Sequence, residues 1–400
     1  MIDVESAVGL IAKNSLKNKK ERLSLENLNG RVLAHSFYAK REQPPFDRVA
    51  MDGIAFLYKE GLNYFTLLGS QRAGEAPISI KKSSQAIEVM TGAILPLGVD
   101  TVVPYEQISI KNGNAYINDD YTTKPKSNIH FQGSDHPEGE LLLPAGVKLN
   151  STSIALIAGQ GCHEATVSAS PKIAIISTGD ELIDPGKPCE KWQIWRSNSY
   201  GIRAELLKIG IPLNKIELFH LDDDESQIVS SLKEILAAHE ILIISGGVSM
   251  GKYDFVHSAM SDIGVRKVFH KIKQRPGKPM FFGVGGNGQN VFGLPGNPIS
   301  ALICMRKYVT SAIEASFGRT EAMQYAVLSE EIQFKKDFSF FKHVKIFCNK
   351  EGQVLATPIC SNGSGDFASL AKSDGFLELP ADEEIFKKGS AYRYFSWGRD

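Results

Sequence analysis

The chain has 400 residues, with 45 Lys plus Arg balanced by 45 Asp plus Glu. At roughly 100–200 residues per domain, that length predicts two to four domains with substantial cores. Zero net charge and the absence of a long basic tract argue against a nucleic-acid partner, whose binding rests on phosphate neutralisation. The opening stretch, MIDVESAVGLIAKNSLK, carries Asp3 and Glu5 where a signal peptide is basic, and no apolar run reaches the roughly 18–20 residues of a membrane span. A cytoplasmic protein without membrane contact is expected. The five cysteines form no CxxC pair. They read as small apolar fillers in a reducing compartment rather than as a disulfide or zinc framework.

In chain order, Val4, Ala7, Val8 and Ile11 recur at helical spacing and predict a helix over 3–16. Short β-like runs follow at 64–69, 86–92, 100–110 and 140–146, with turns at Asn112-Gly113 and Pro144-Ala145-Gly146. Helical spacing returns over 151–162. From 171 strands and helices alternate: a strand at 172–177 and a helix at 197–210 with Ser197, Asn198 or Ser199 as its N-cap. Next come a strand at 214–221, an amphipathic helix at 222–239, a strand at 241–245 and a helix at 253–264. That order predicts a mostly parallel sheet covered on both faces. A hairpin at 278–294 and a long helix at 297–315 complete it. The tail reads as a β region, with a hairpin turning at 349–352. The fold class is therefore multidomain α/β plus β. Residues 1–170 form an N-terminal region with an inserted β-rich domain at about 27–145, residues 171–319 a central three-layer α/β domain, and residues 320–400 a small β domain.

Three apolar runs end in glycine-rich turns: KIAIISTGDEL, ILIISGGVSMGKYD and NVFGLPGNPIS. Open α/β sheets bind ligands at such strand ends. The loop from Ser245 through Gly246, Gly247 and Ser249 to Gly251 lets backbone N–H groups approach an anion, though it lacks the GK[ST] of a Walker A loop. Pro295-Gly296-Asn297-Pro298 opens the long helix, with Asn297 as N-cap, and Ser300 and the free helix-end N–H groups suit an oxyanion. Between them, Lys271, Lys273, Arg275 and Lys278 place four cations within eight residues. They are either a solvated strand face or an anion site, and proximity to the two glycine turns favours the anion site. If 265–273 is a strand, Lys271, Lys273 and Arg275 share one face.

Asp180 and Glu181 follow one strand and Asp254 follows the glycine loop. Carboxylates repel an anionic substrate unless a cation intervenes, so they are expected to hold Mg²⁺ or manage protons. Asp222, Asp223 and Asp224 read first as helix-capping carboxylates. Asp52 sits beside Gly53 in a turn with no distinguishing signal of its own. The nine histidines show no HxxxH or HExxH spacing and read as surface or core residues.

MDGIAF, VMTGAILPLGVDTVVPYE, STGDEL, SGGVSMGKYD, RPGKPMFFG and GLPGNPIS occur in this order. Together they resemble the molybdopterin molybdenumtransferase family, as does SNGSGDFASLAKSDGFLELP in the tail. The resemblance implies Mg²⁺-dependent insertion of molybdenum from molybdate into adenylated molybdopterin, with release of AMP. It also implies a homodimer whose cleft is shared between subunits, and contact with a molybdopterin adenylyltransferase and with recipient molybdoenzymes. Carried over by position, it marks Asp52, Glu181, Asp223, Asp254, Lys271 and Arg275 as catalytic, with Glu181, Asp223 and Asp254 as metal ligands. Thr91, Asp135, Thr178, Gly179, Asp180, the glycine loop, Lys278, Pro295 through Pro298 and Ser300 would bind the substrate. Arg275 stands where lysine is common, and Arg48-Val49 and His130-Phe131-Gln132 also depart from the family pattern. Two related readings are a molybdopterin adenylyltransferase, which shares the sheet but usually lacks the flanking domains, and a scaffold like the gephyrin E domain.

Overall fold

The computed structural model describes residues 1–247, 255–319, 322–335 and 337–398. The chain divides into two compact units. One comprises Met1–Ala34, Gly146–Ile154 and Glu164–Asp400, and the other His35–Ala145 and Ala155–His163.

The smaller unit is built on a six-stranded sheet in the order Thr101–Pro104, Gly53–Phe56, Gln85–Val89, Tyr64–Gln71, Asn114–Ile117 and Ile108–Lys111. Ala55, Ile87 and Val102 bury one face, and Ile54, Phe56, Ala86 and Val103 bury the other. Alternate residues thus feed two separate cores. A Cβ on Gly53 would lie 2.0 Å from the Val103 carbonyl oxygen, so only glycine lets these strands meet. The hairpin expected at Asn112-Gly113 forms, both residues having positive φ (49° and 75°), as a two-residue turn requires.

The larger unit begins with a helix, Val4–Lys13, shorter than the span of 3–16 suggests. Asp3 caps it by accepting the Ser6 N–H at 2.7 Å, and Val4, Ala7 and Ile11 are buried. Its main sheet has six strands: β1 (Ile173–Thr178), β2 (Ile216–Leu221), β3 (Ile241–Ser245), β4 (Arg266–His270), β5 (Phe281–Val284) and β6 (Asn290–Leu294). Their order is β2-β1-β3-β6-β5-β4. β2, β1, β3 and β6 run parallel, while β5 and β4 add antiparallel through the expected hairpin. The sheet is therefore mixed. Ile173 and Ile175 of β1 enter one core, and Ala174 and Ile176 enter another. Helices α1 (Asn198–Lys208), α2 (Glu225–Ala238) and α3 (Phe255–Asp262) follow β1, β2 and β3.

The long helix α4 starts at Pro298 and ends at Ser316. Ordinary α-turns flank a π-helical segment, Met305–Val309. Within that segment Arg306 and Lys307 are buried. Lys307 Nζ meets Glu378 at 2.7 Å and lies 4.7 Å from the Phe395 ring centroid.

In the tail, strands Ser339–Cys348, Val354–Pro358, Gln324–Leu328, Ala391–Ser396 and Gly375–Leu379 pair in sequence, and the last pairs back to the first. The ring encloses Leu328, Val344, Ala356, Leu377, Leu379 and Phe386. The short strand Gln274–Arg275 joins it by pairing with Ser339–Phe340.

Two expectations need correction. Lys271, Lys273 and Arg275 do not share one strand: β4 ends at His270 because Lys271 takes φ of 71°, which an extended strand does not accommodate. The cysteines are not uniformly buried fillers. Cys162 and Cys304 are buried, Cys189 is half-buried, and Cys348 and Cys360 are exposed. Among the described residues, no helix is long and apolar enough to cross a membrane.

Candidate active site

The C-terminal ends of β1, β3 and β6 open into a cleft of about 600 Å³. Thr178, Gly179 and Glu181 from the first glycine turn line it, with Ser245, Gly246 and Gly247 from the second. Pro295, Gly296, Asn297 and Pro298 from the third turn and Asp223 from the β2–α2 turn complete it. Gly246 has φ of 101°, and a Cβ there would stand 3.1 Å from both the carbonyl and hydroxyl oxygens of Thr178. Glycine at this point allows the first two turns to approach each other.

The polar run before α1, expected only to cap a helix, joins the turns. Ser197 precedes the helix without a capping bond. Asn198 instead donates from Nδ2 to Ser245 Oγ and to the Gly296 carbonyl, both at 2.8 Å. Asn297 likewise leaves its expected capping role and donates to Ser364 Oγ at 2.8 Å.

The acidic groups divide by task. Asp224 caps α2 by accepting the Gln227 N–H at 3.1 Å. Asp180 accepts the Asp223 N–H at 3.0 Å, which ties two of the strand-end turns together. Asp223 is exposed as a residue. Local desolvation nonetheless comes first in raising its carboxyl above the usual range, followed by the like charges of Asp180 and Glu181. Carboxylate oxygens crowded this way suit a hard divalent cation. Among the described residues no three metal-binding side chains converge. Ser249, Gly251 and Asp254 lie outside the described residues.

A second cleft, of about 940 Å³, shares Pro295 and Asn297 with the first. Arg275, Lys278 and Ser300 line it, together with the tail residues Lys342, His343 and Ser364. Lys271 lines neither cleft. Lys273 is paired with Asp337 at 2.9 Å. Lys278 stands 5.5 Å from the Phe338 ring centroid, and the Phe334 and Phe340 rings stack at 4.3 Å. These tail aromatics and His343 carry no signal at the level of sequence, because a Phe-rich strand reads equally as barrel interior. Burial drives the His343 imidazole down to about 4, with Lys342 adding to the effect and Asp366 opposing it.

In the smaller unit, Thr91 donates both its backbone N–H and its hydroxyl to one Asp52 oxygen, each at 2.6 Å. The hydroxyl and then the N–H hold that carboxyl below its ordinary range. The unusual Arg48 and His130 meet each other: Arg48 Nη2 donates to His130 Nδ1 at 3.0 Å, and His130 Nε2 contacts Asp135 at 2.8 Å. A guanidinium has only donors, so Nδ1 is the acceptor in this contact.

Three family models match the chain: "MoeA N-terminal region (domain I and II)" over residues 2–161, "Probable molybdopterin binding domain" over 174–315, and "MoeA C-terminal region (domain IV)" over 325–393. The molybdopterin molybdenumtransferase of a Synechocystis species is 36% identical over 99% of this chain and 100% of its own length. That of Haemophilus influenzae is 30% identical over 90% of this chain and 89% of its own. A solved structure of the molybdopterin biosynthesis MoeA protein from Pyrococcus horikoshii superposes over all of both chains with a TM-score of 0.83 at 27% identity.

Proposed function

The chain belongs to the molybdopterin molybdenumtransferase family of molybdenum cofactor biosynthesis, and we propose that it inserts molybdenum from molybdate into adenylated molybdopterin and releases AMP. One observation carries this reading. A glycine-walled cleft holding Glu181 and Asp223 adjoins, through Pro295 and Asn297, a cleft lined by Arg275, Lys278 and Ser300. The two substrates differ in the same way: one bears a phosphoanhydride and the other is a compact oxyanion.

In this reading the backbone at Thr178-Gly179 and Ser245-Gly246-Gly247 receives phosphate oxygens, as glycine turns at strand ends do. Arg275, Lys278 and Ser300 receive molybdate through charge-assisted hydrogen bonds. Lys271 contributes positive charge without lining either cleft, and Asp135 and Thr91 contact the substrate. Glu181 and Asp223, with Asp254, would hold Mg²⁺, which supplies charge neutralisation on the phosphoanhydride. The chain acts as a homodimer, Asp52 of one protomer facing the cleft of its partner. It works in the cytoplasm, between a molybdopterin adenylyltransferase and the recipient molybdoenzymes.

The test is a purified assay with adenylated molybdopterin, molybdate and Mg²⁺, following AMP release and activation of an apo-molybdoenzyme. Both should occur, and chelation of Mg²⁺ should stop both. Glu181→Ala should lower AMP release at least about 100-fold, in the range for removing a transition-state charge contact, with its circular dichroism unchanged. ATP consumption in place of AMP release would move the chain to the adenylyltransferase reaction. Loss of neither activity in Glu181→Ala would remove the carboxylate from the mechanism.

A further inference from the structure

The glycine-walled cleft contains two carboxylates, yet among its described lining residues Arg196 is the only cation. This arginine lies between β1 and α1, outside every glycine turn. Two backbone bonds fix its segment: Ile194 N–H to the Glu181 carbonyl at 2.8 Å, and Arg196 N–H to the Ile183 carbonyl at 2.9 Å. The main chain, rather than the guanidinium charge, therefore sets its position.

The Arg196 side chain is 13% exposed, and its Nη2 lies 2.5 Å from Asp184 Oδ1. Asp184 also pairs with Lys187 at 3.3 Å, and Lys187 ahead of Arg196 holds its carboxyl below the ordinary range. The Arg196 Nε–H is buried and has no hydrogen-bond partner. A buried N–H without an acceptor is costly and uncommon in native proteins. Asp184 Oδ1, the atom beside Nη2, likewise makes no hydrogen bond, so Asp184 holds the guanidinium as an ion pair and leaves its Nε–H unused. A guanidinium with an unused Nε–H retains donor capacity for a phosphate oxygen.

We propose that Arg196, oriented by Asp184, binds phosphate oxygens of the substrate in this cleft. The inference rests on the reading above that the substrate carries a phosphoanhydride. It also resolves an electrostatic difficulty: a phosphate entering the cleft that holds Glu181 and Asp223 meets a fixed positive charge there, before and apart from any metal.

The test is calorimetric binding of AMP and of inorganic pyrophosphate to the full-length wild type, Arg196→Gln, Arg196→Lys and Asp184→Asn, with AMP-release kinetics alongside. Arg196→Gln should bind both probes roughly 10- to 100-fold more weakly, the range of a charge-assisted hydrogen bond. Its KM should rise by a similar factor, with a smaller change in kcat. Arg196→Lys should recover part of the loss, and Asp184→Asn should show a lesser weakening of the same kind. Wild-type affinity and KM in Arg196→Gln would overturn the proposal while leaving the family reaction intact. Pyrophosphate binding that depends on Arg196, in a protein that releases no AMP from adenylated molybdopterin, would keep the phosphate site and remove the substrate reading. Binding of neither probe by the wild type would overturn both. A drop in thermal midpoint with unchanged affinity would make Arg196 purely structural.

Discussion

Asp223 shows how one residue within an acidic run acquires a separate task. Desolvation, Asp180 and Glu181 raise its pKa, so the folded state binds this proton more tightly than the unfolded chain does. The associated stability is present at low pH and is lost as pH rises through the folded value. Asp223→Asn should therefore gain thermal stability relative to wild type at pH 7 but little at pH 4, by a degree or two at most given its exposure, while losing AMP release. Melting curves across that range check the sign. His343 has the opposite behaviour. Its pKa is depressed from 6.5 to about 4, so its contribution is present above 6.5 and lost progressively as pH falls toward 4. His343→Gln should flatten the pH dependence of the thermal midpoint in that window. The proposed role of Asp223 is legible only through resemblance, because a DDD run before a helix looks like capping, and Asp224 does cap. Arg196 and Asn198 were missed for a related reason. A polar run before a helix has a ready local explanation, whereas the partners of Asn198 lie 47 and 98 residues away.

Elements with a local cause were read correctly. The Asn112-Gly113 hairpin, the β1–β2–β3 alternation and the β5–β6 hairpin each depend on turn chemistry or apolar periodicity within a few residues. The end of β4 is hidden in the sequence because the alternation of outward cations continues past it: Lys271, Lys273 and Arg275 remain more exposed than buried Ile272 and Gln274, although the strand is broken. Period two in exposure is thus not proof of a continuous strand. Gly53 makes the element-scale prediction. A methyl group 2.0 Å from the Val103 oxygen cannot be relieved by a side-chain rotation, because the obstacle is backbone. Gly53→Ala should destabilise the smaller unit by roughly 3 kcal/mol, as overpacking at a strand pair does. Hydrogen exchange should show the loss first in Gly53–Phe56 and its neighbours Thr101–Pro104 and Gln85–Val89.

For the molecule as a whole, the proposed shared site makes oligomeric state a functional quantity. Sedimentation should give a species of twice the 43.8 kDa chain mass, and mixing inactive Asp52→Ala with inactive Glu181→Ala protein should restore partial AMP release through heterodimers that contain one intact cleft. Failure of such complementation between folded, exchanging subunits would place Asp52 and Glu181 in the same subunit's site.

The π-helical segment of α4 sets a limit on how this chain tolerates length changes. A π turn accommodates one more residue than the α-turn it replaces, and each residue of an α-helix advances the helical face by about 100°. Deleting one residue from Met305–Val309 would permit an uninterrupted α-helix, and local helical geometry would even improve. Because the resulting α-turn completes the same rotation with one residue fewer, everything beyond the deletion would keep its phase, and Ile313 would stay in its core. The apparent irregularity absorbs one residue without turning the far end of the helix relative to its glycine-turn end. A one-residue deletion within Met305–Val309 should therefore cost less stability than one in the flanking α-turns, which would swing the far end by about 100°, and thermal midpoints of the two deletions check this.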